Sequence, residues 1–459
     1  MRARTADVTL PTFAIAAWAA IGAGAAVNSG SYATRAIELV SVGVCLLAVG
    51  ALRPVVRPAV ADLAARLTAV AALLGVLWEA VSSPAGAWNT GAWVAPSHVL
   101  TIAATALAAG WLIARLSRAW LGATVVIALQ ALAGIGMIRS SPRPPIDDWV
   151  MFQAVTRAMT TGRNLYTVRW IGPPHEASNM FAYLPGSAVF LWPFRPLFGD
   201  VRYGILAGLV VVCALLVWTN KRSPAALLGC LPLLFPQVLN GVDSSWIDPL
   251  VLLGICAAAA AVRSGHCGWA VVSLAFALSC KQQAWLVLPL AVAWREFRWR
   301  RALTAALLAV GFTLPWALTD FHAFFYDVFQ YQLRLPARLD SLSLYPLALA
   351  YGGHPVLAWL VVATVCALLL TIWRLPRDST GFLFGAAVVE AVFNLTNKQS
   401  FFNEWELAAG LAAAAAALAT GEHLNIPHAT RLVGRDASLP RFDIPPSPVD
   451  SLLMEETCP

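Results

Sequence analysis

The chain has 459 residues, of which 59% are hydrophobic and only 12% are charged. A soluble domain carries about 25% charged residues. This chain therefore cannot cover a globular surface of its own size with charge, and most of its surface must face lipid. The formal net charge of +7 comes from arginine, since Lys221, Lys281 and Lys398 are the only lysines. Most arginines lie between apolar segments or near the C-terminus, which is typical of membrane topology and argues against a nucleic-acid partner.

The cysteines give no sign of a metal centre. There are eight, and no C-x-x-C or Cys/His ligand spacing is present. Six lie inside apolar runs: Cys45, Cys213, Cys230, Cys256, Cys280 and Cys366. We interpret them as small buried apolar residues, and we expect neither a metal nor another cofactor.

Five apolar runs precede position 140, and each approaches the roughly 20 residues that a membrane span needs. They cover about Val8–Val27, Ala36–Leu52, Thr68–Val81, Val99–Ile113 and Trp120–Ile138. The third is short unless it extends back through Asp62 and Arg66. The start of the chain resembles a signal peptide, but the many later runs favour a retained first helix. We expect residues 1–118 to form a four-helix N-terminal extension.

Basic residues in the short linkers predict the orientation. Arg53, Arg57, Arg115 and Arg118 fall in the second and fourth linkers, whereas the first and third contain only Arg35 at a border. The positive-inside rule then places the N-terminus in the cytoplasm. We expect a multi-pass protein of the plasma (inner) membrane whose fifth helix ends on the outer side.

The longest polar interruption, residues 139–182, follows that fifth helix, so we expect an extracytoplasmic loop. Its first residues are too rich in proline to be helical. Trp149, Phe152, Val155 and Met159 then recur at helical spacing. This pattern predicts an amphipathic helix over about 149–161 that lies in the membrane interface.

Apolar runs resume after the loop. They lie near Leu184–Phe198, Tyr203–Trp218, Pro224–Leu239, Trp246–Val262, Trp269–Cys280, Ala284–Trp294, Ala302–Leu318, Leu342–Tyr351, Val356–Trp373, Gly381–Leu395 and Trp405–Ala419. The pair within Trp269–Trp294 could form one helix that Lys281 interrupts. The sequence therefore predicts an all-α transmembrane bundle of about 12–14 helices, with a module over 119–420 and a disordered polar tail over 421–459.

Two groups of ionisable residues could carry chemistry. Asp147 and Asp148 follow the fifth helix, where one carboxylate could act as a general base or both could form the acidic first turn of the interfacial helix. Lys281 lies between apolar runs, where a charge costs about 2.5–3.5 kcal/mol or more. It could bind a phosphate or pair with Asp243 or Asp248.

A third candidate is a polar segment between the last two apolar runs. It contains Asn397, Lys398 and Gln399, followed by Asn403 and Glu404. Such donors suit sugar or phosphate binding, although an ordinary loop would also explain them. No Walker loop, G-x-G-x-x-G, H-E-x-x-H or G-x-S-x-G motif occurs, so nothing indicates use of ATP.

The order of these segments resembles integral membrane glycosyltransferases of the GT-C type, in particular the family 87 branch of bacterial polyprenyl-phosphate-mannose-dependent mannosyltransferases. The resemblance covers about residues 119–420. It rests on the following segments: Asp147 or Asp148 after a helix, Trp149–Met159, Gly162-Arg163-Asn164-Leu165-Tyr166, Tyr183-Leu184-Pro185, Lys281-Gln282 and Asn397-Lys398-Gln399. The chain departs from that family in its four preceding helices and in having two aspartates where one is expected.

The resemblance implies a hexosyltransferase that moves mannose or a similar sugar from a polyprenyl-phosphate donor to a glycan or glycolipid acceptor of the cell envelope. It implies that Asp147, or else Asp148, is the base. It assigns donor phosphate or sugar binding to the following residues: Lys281, Gln282, Asn397, Lys398, Gln399, Tyr183, Asn164 and Tyr166. A transporter or flippase-like binding protein is the alternative, because it would also use intramembrane charges and interrupted helices. An inactive scaffold subunit is a third reading.

Overall fold

The computed structural model describes residues 9–52, 58–82, 91–114, 116–169, 180–221, 223–353 and 357–422. All regular structure in these ranges is helical, and they contain no strand. Helices suit such an apolar chain because each satisfies its own backbone polar groups without water. The all-α bundle predicted from the sequence is confirmed at this level. Most of the predicted tail, and residues 170–179 of the predicted loop, lie outside the described residues.

The N-terminal part consists of long helices. They are α1 (Thr9–Ala26), α2 (Thr34–Leu52), α3 (Pro58–Ser82), α4 (Val94–Ala114) and α5 (Ala119–Ser140), with a short 3₁₀ turn at Val27–Gly30. All five expected runs are helical. The third run does extend back through Asp62 and Arg66, so α3 is long enough to cross a bilayer.

The middle part has shorter elements. They are α6 (Asp147–Thr160), a 3₁₀ turn (Leu165–Thr167), α7 (Pro185–Leu191), α8 (Phe194–Phe198), α9 (Arg202–Thr219), a 3₁₀ helix (Pro224–Leu234), α10 (Val238–Asp243), α11 (Asp248–Arg263) and α12 (Cys267–Cys280). The helix predicted over 149–161 is therefore present as α6, beginning two residues earlier. Met151, Phe152 and Val155 form its buried face.

The C-terminal part begins with an interrupted helix. Its elements are a 3₁₀ helix (Gln282–Val287), α13 (Leu288–Ala293), α14 (Trp299–Thr319), α15 (Phe321–Phe325), a π-helical turn (Tyr326–Gln330), α16 (Tyr331–Arg334), α17 (Leu344–Ala350), α18 (Leu357–Arg374), α19 (Ser379–Thr396) and α20 (Phe402–Glu422). Between α12 and the 3₁₀ helix, Lys281 is extended with φ −145° and ψ 140°. The possible long helix over Trp269–Trp294 is thus broken at this lysine.

In the described ranges, fewer helices than the predicted 12–14 are both long enough and apolar enough to cross a membrane. Within the described ranges, eight helices are long and apolar enough: α2, α3, α4, α5, α9, α14, α18 and α19. Three shorter apolar segments add Leu10–Ala26, Cys267–Cys280 and Gln282–Ala293. The apolar runs near 184–198, 224–239 and 342–351, several of them short or rich in proline, form shorter pieces. Prolines explain part of this, since Pro193 separates α7 from α8 and Pro232 lies inside the 3₁₀ helix.

Several contacts place the candidate residues at one end of the bundle. The Trp93 amide donates to Ser140 Oγ at 2.9 Å, which joins the start of α4 to the end of α5. Arg202, at the start of α9, donates to the Ser141 carbonyl at 2.7 Å. Asp248 at the start of α11 reaches Lys281 just after α12. At the opposite end, Arg263 at the end of α11 donates to the Leu418 carbonyl at 2.9 Å.

Candidate functional site

The two aspartates at the start of α6 have different surroundings. Asp147 Oδ1 accepts from the Asp148 amide at 2.9 Å, so this carboxylate helps to complete the first helical turn. The Asp148 side chain forms a hydrogen bond with Tyr183. Asp148 is half-buried. Burial, and then the neighbouring charge of Asp147, raise the Asp148 pKa well above its ordinary value of 3.8, and the Tyr183 hydrogen bond and the Lys281 charge oppose this rise.

A buried arginine fixes α6 to the rest of the bundle. Arg202 is fully buried and contacts Asp200 at 2.6 Å and Asp243 at 2.5 Å. The Trp149 indole nitrogen donates to both Asp200 carboxylate oxygens at 3.3 Å. The Arg202 guanidinium also lies 5.8 Å from the centre of the Trp149 ring. This cluster positions the helix that carries Asp148, because each charge is both paired and hydrogen-bonded.

An aromatic cluster connects the segment after α6 to the entrance of α7. Tyr166 is fully buried, and its hydroxyl donates to the Tyr183 carbonyl at 3.0 Å. Phe152 stacks on Tyr183 with ring centres 5.7 Å apart. Asn164 accepts from the Tyr166 amide at 3.1 Å and donates to the Trp316 carbonyl at 3.0 Å. Asn164 and Tyr166 therefore shape the wall behind Tyr183, whose own side chain remains half-buried.

The interruption after α12 directs the side chain of Lys281 toward the site. Lys281 Nζ donates to Asp248 Oδ1 at 2.8 Å and lies 3.8 Å from Glu404 Oε1. Asn403 donates to the second Asp248 oxygen at 2.7 Å. Of the two acids that the sequence offered as partners, Asp248 pairs with Lys281 and Asp243 pairs with Arg202. The positive charge of Lys281 is thus already neutralised by protein carboxylates.

The two glutamines that follow Lys281 hold this break in place. Gln282 donates to the Ala182 carbonyl at 2.8 Å and to the Val328 carbonyl at 2.9 Å. It therefore joins the α7 entrance to the π-helical turn. Gln283 donates to Glu390 at 2.5 Å and to Asn394 at 3.0 Å, both on α19. None of these four hydrogen bonds could be predicted from the sequence, because each partner is more than 40 residues away.

The predicted polar segment between α19 and α20 divides into two parts. Lys398 donates to the carbonyls of Leu333 and Leu335 at 2.9 and 2.6 Å, and Gln399 donates to the Pro336 carbonyl at 2.6 Å. These two side chains hold the end of α16 and the residues that follow it. Asn397 is half-buried beside them. The residues of the polar segment that reach the Lys281–Asp248 pair are instead Asn403, which donates to Asp248, and Glu404, which lies near Lys281.

One ion pair at this end was not predicted from the sequence. Arg169 Nη1 lies 3.3 Å from Asp327 Oδ2, and the arginine side chain is 48% exposed whereas the aspartate is fully buried. Burial raises the Asp327 pKa to about 6, although Arg169 opposes the rise. Asp327 lies on the π-helical turn, an element often found at functional sites. The feature of the sequence that could have indicated this pair is Asp327, an isolated acid in a stretch rich in aromatic residues.

Among the described residues, no group of three or more His, Cys, Asp or Glu side chains could hold a metal ion. Comparison of the chain with known protein families, with curated proteins and with solved structures gives no match. The fold and site define a polytopic helical membrane protein with an ionisable cluster at one end of the bundle. The Asp148, Tyr183, Lys281 and Asp248 side chains form its centre.

Proposed function

We propose that this chain is a GT-C type glycosyltransferase that moves a sugar such as mannose from a polyprenyl phosphate to a hydroxyl of a cell-envelope acceptor at the outer face of the inner membrane. One observation carries the proposal. The acid after α5, the aromatic entrance to α7 and the lysine after α12 come from three separate parts of the sequence, yet they interact at one end of the bundle. These are the segments on which the resemblance rests.

In the proposed reaction the carboxylate of Asp148 accepts the proton of the acceptor hydroxyl. The hydroxyl oxygen then attacks the anomeric carbon, the bond from that carbon to the phosphate oxygen breaks, and polyprenyl phosphate leaves with the electron pair. Asp148 is preferred to Asp147, which the sequence placed first, because Asp148 contacts Tyr183 whereas Asp147 accepts from the adjacent amide. General-base assistance is typically worth about 10²–10⁴-fold.

The developing phosphate charge needs a cation, and both Lys281 and Arg169 lie at this end of the bundle. Lys281 is held by Asp248 and Glu404 and is only 8% exposed. Arg169 is half exposed, and its guanidinium also donates to the Tyr166 carbonyl at 2.8 Å. We assign phosphate binding to Arg169, which can offer its remaining donors as a fork, and a supporting role to Lys281.

The test is transfer of a labelled sugar by membranes that contain the protein. Membranes with wild-type protein are incubated with radiolabelled polyprenyl-phosphate mannose, and the labelled product is extracted. We expect transfer by the wild type and a loss of about 10²-fold or more for Asp148→Asn. Asp147→Asn is the matched control and should retain most activity. Equal activity of all three proteins would refute the assignment of the base, and no labelled product from the wild type would refute the reaction.

A transporter or flippase-like binding protein is the second candidate, and the break at Lys281 favours it. Interrupted helices with charged residues are typical of transporter binding sites, and here the break carries Lys281 with Asp248 on the neighbouring helix. The two functions differ in their product. Movement of an intact labelled lipid across reconstituted vesicles, without sugar transfer, would favour the transporter.

A further inference from the structure

A second group of polar side chains lies beside the ionisable cluster. It involves Glu406 on α20 and three residues of the segment at α10, namely Asn240, Ser244 and Ser245. All four are at least nine-tenths buried, with exposed fractions of 3%, 6%, 0% and 0% in that order. Within the part of the chain that the structure describes, both Glu406 carboxylate oxygens, Asn240 Oδ1 and both serine hydroxyls have no hydrogen-bond partner. These five atoms are all oxygens.

Packing holds these residues on two segments that touch. A methyl group placed on Gly241 would lie 2.8 Å from Glu406 Oε2, so the carboxylate lies directly against α10. Trp246, just after α10, and Phe402 on α20 pack edge to face with ring centres 4.2 Å apart. Phe402 lies one helical turn before Glu406. Asn240 and Ser244 are four residues apart, and the Ser244 amide donates to the Asn240 carbonyl at 2.9 Å. Helical spacing therefore places them on one face.

The backbone around α10 is also constrained. Gln237 before it and Ser245 after it have φ angles of 68° and 62°, which non-glycine residues rarely adopt. These two residues limit α10 to six residues. The residues after its C-terminal end contact α20 through Trp246 and Phe402. Short and half helices of this kind supply ligands for Na⁺ in membrane transporters.

The charges around Glu406 determine what the group could bind. Among the described residues, the charged group that acts on Glu406 is Asp248, another acid. Both Asp248 oxygens are already used by Lys281 and Asn403. An isolated ionised carboxylate is very costly to bury unless a cation or proton compensates it. One uncompensated carboxylate matches one positive charge.

We propose that Glu406, Asn240, Ser244 and Ser245 form a buried binding site for a monovalent cation, sodium. Hard cations prefer oxygen ligands, and the five unpartnered atoms supply only oxygens. A single unpaired carboxylate balances a monovalent ion and not a divalent one. This site is independent of the proposed sugar transfer, because it uses neither Asp148 nor Tyr183, so failure of either proposal leaves the other standing.

The test measures whether sodium stabilises the folded protein. The full chain is purified in detergent, and its thermal unfolding midpoint is compared in sodium, potassium and choline chloride at equal ionic strength. A ligand that binds only the folded state raises the midpoint. We expect saturating sodium to raise the wild-type midpoint by about 3–5 °C over choline. Radioactive ²²Na⁺ should bind with one ion per chain.

Variants connect the effect to the site. Glu406→Gln removes the charge but keeps the shape, and Ser244→Ala removes one ligand, so both should lose the sodium-dependent shift. Glu296→Gln is the matched control, because Glu296 accepts from the Ser379 amide at 3.1 Å at the start of α19, and it should keep the shift. A shift equal in all three salts, a shift that persists in Glu406→Gln, or a wild-type midpoint that responds to pH but not to sodium would overturn the proposal. If Glu406→Gln does not fold, Ser244→Ala and the ²²Na⁺ measurement on wild type decide it.

Discussion

Adjacent residues with the same side chain can have different properties when only one of them meets the rest of the site. Asp147 and Asp148 point about 100° apart because successive residues on a helix do so. Asp147 accepts from the backbone at the helix start, whereas Asp148 meets the Tyr183 side chain. The half-buried position of Asp148 beside a like charge makes it a stronger base than an ordinary aspartate, as acid–base catalysis requires.

The pH dependence of sugar transfer should report this environment. The Asp148 pKa lies above 3.8 because of burial and the charge of Asp147. A protonated carboxyl cannot accept a proton, so transfer should fall as pH falls through this raised pKa. Asp147→Asn removes the like charge and should move the acidic limb of the profile to lower pH. Initial transfer rates across a pH series measure it. A limb that stays in place or moves upward in this variant would contradict the prediction.

The ion pair between Lys281 and Asp248 leads to a second prediction, which concerns stability. Lys281→Met leaves Asp248 as a buried acid without its cation, which typically costs about 3–5 kcal/mol. Adding Asp248→Asn should restore much of that loss, because the uncompensated charge is gone. Thermal unfolding in detergent compares the three proteins. Lys398→Met is the control, since Lys398 donates to two backbone carbonyls, and it should cost less. An equal loss from both lysine variants, or no recovery in the double variant, would contradict the pairing.

At the scale of elements, the site depends on short and interrupted helices. The break at Lys281 lets its side chain leave the apolar helix α12 and reach Asp248. Gln282 and Gln283 then satisfy carbonyl and carboxylate oxygens of neighbouring elements. Non-helical backbone is tolerated at membrane depth only where the protein itself satisfies it. The break in the helix is therefore needed to bring Lys281 into the site.

Close contact between α7 and α12 supports this arrangement. A methyl group on Gly186 would lie 2.2 Å from Ser279 Oγ and 2.7 Å from the Ser279 carbonyl oxygen. Gly186→Ala should force the α7 entrance, with Tyr183, away from Lys281. Overpacking of this kind costs about 1–3 kcal/mol, and we expect both a lower unfolding midpoint and slower transfer. Gly268→Ala, on α12 with nothing within 4 Å, is the matched control. Similar behaviour of the two variants would show that this contact is not needed.

At the scale of the molecule, the helices bring distant parts of the chain to one end. The N-terminal helices take part in the same packing, since α1 contacts α20 and α2 contacts α19. The predicted four-helix extension therefore shares the core of the predicted module. The end that holds Asp148 also holds Glu79 of α3, whose carboxylate accepts from Gln237 at 3.0 Å.

Chemical labelling can determine which side of the membrane this end faces. We predict the outer side, from the arginines of the first linkers. A cysteine at Ser141 should react with a membrane-impermeant thiol reagent in intact cells, with the wild-type chain as background. A cysteine at Ser264, in the exposed turn between α11 and α12 at the opposite end, should react only after lysis. The reverse pattern would place the ionisable cluster in the cytoplasm and exclude an outer-face reaction.

The sequence by itself determined the helical membrane class, the first five helices and the helix after Asp147. It could do so because apolar runs and helical spacing are local properties of the chain. The sequence could not predict where the Pro-rich runs break into short helices. It offered both Asp243 and Asp248 as partners of Lys281, but it could not decide that Asp248 pairs with Lys281 while Asp243 pairs with Arg202. Nor did it indicate Arg169 with Asp327, or the unpartnered Glu406. The three ion pairs join residues that are 33, 41 and 158 positions apart, and only the packing of the helices decides which buried charges meet.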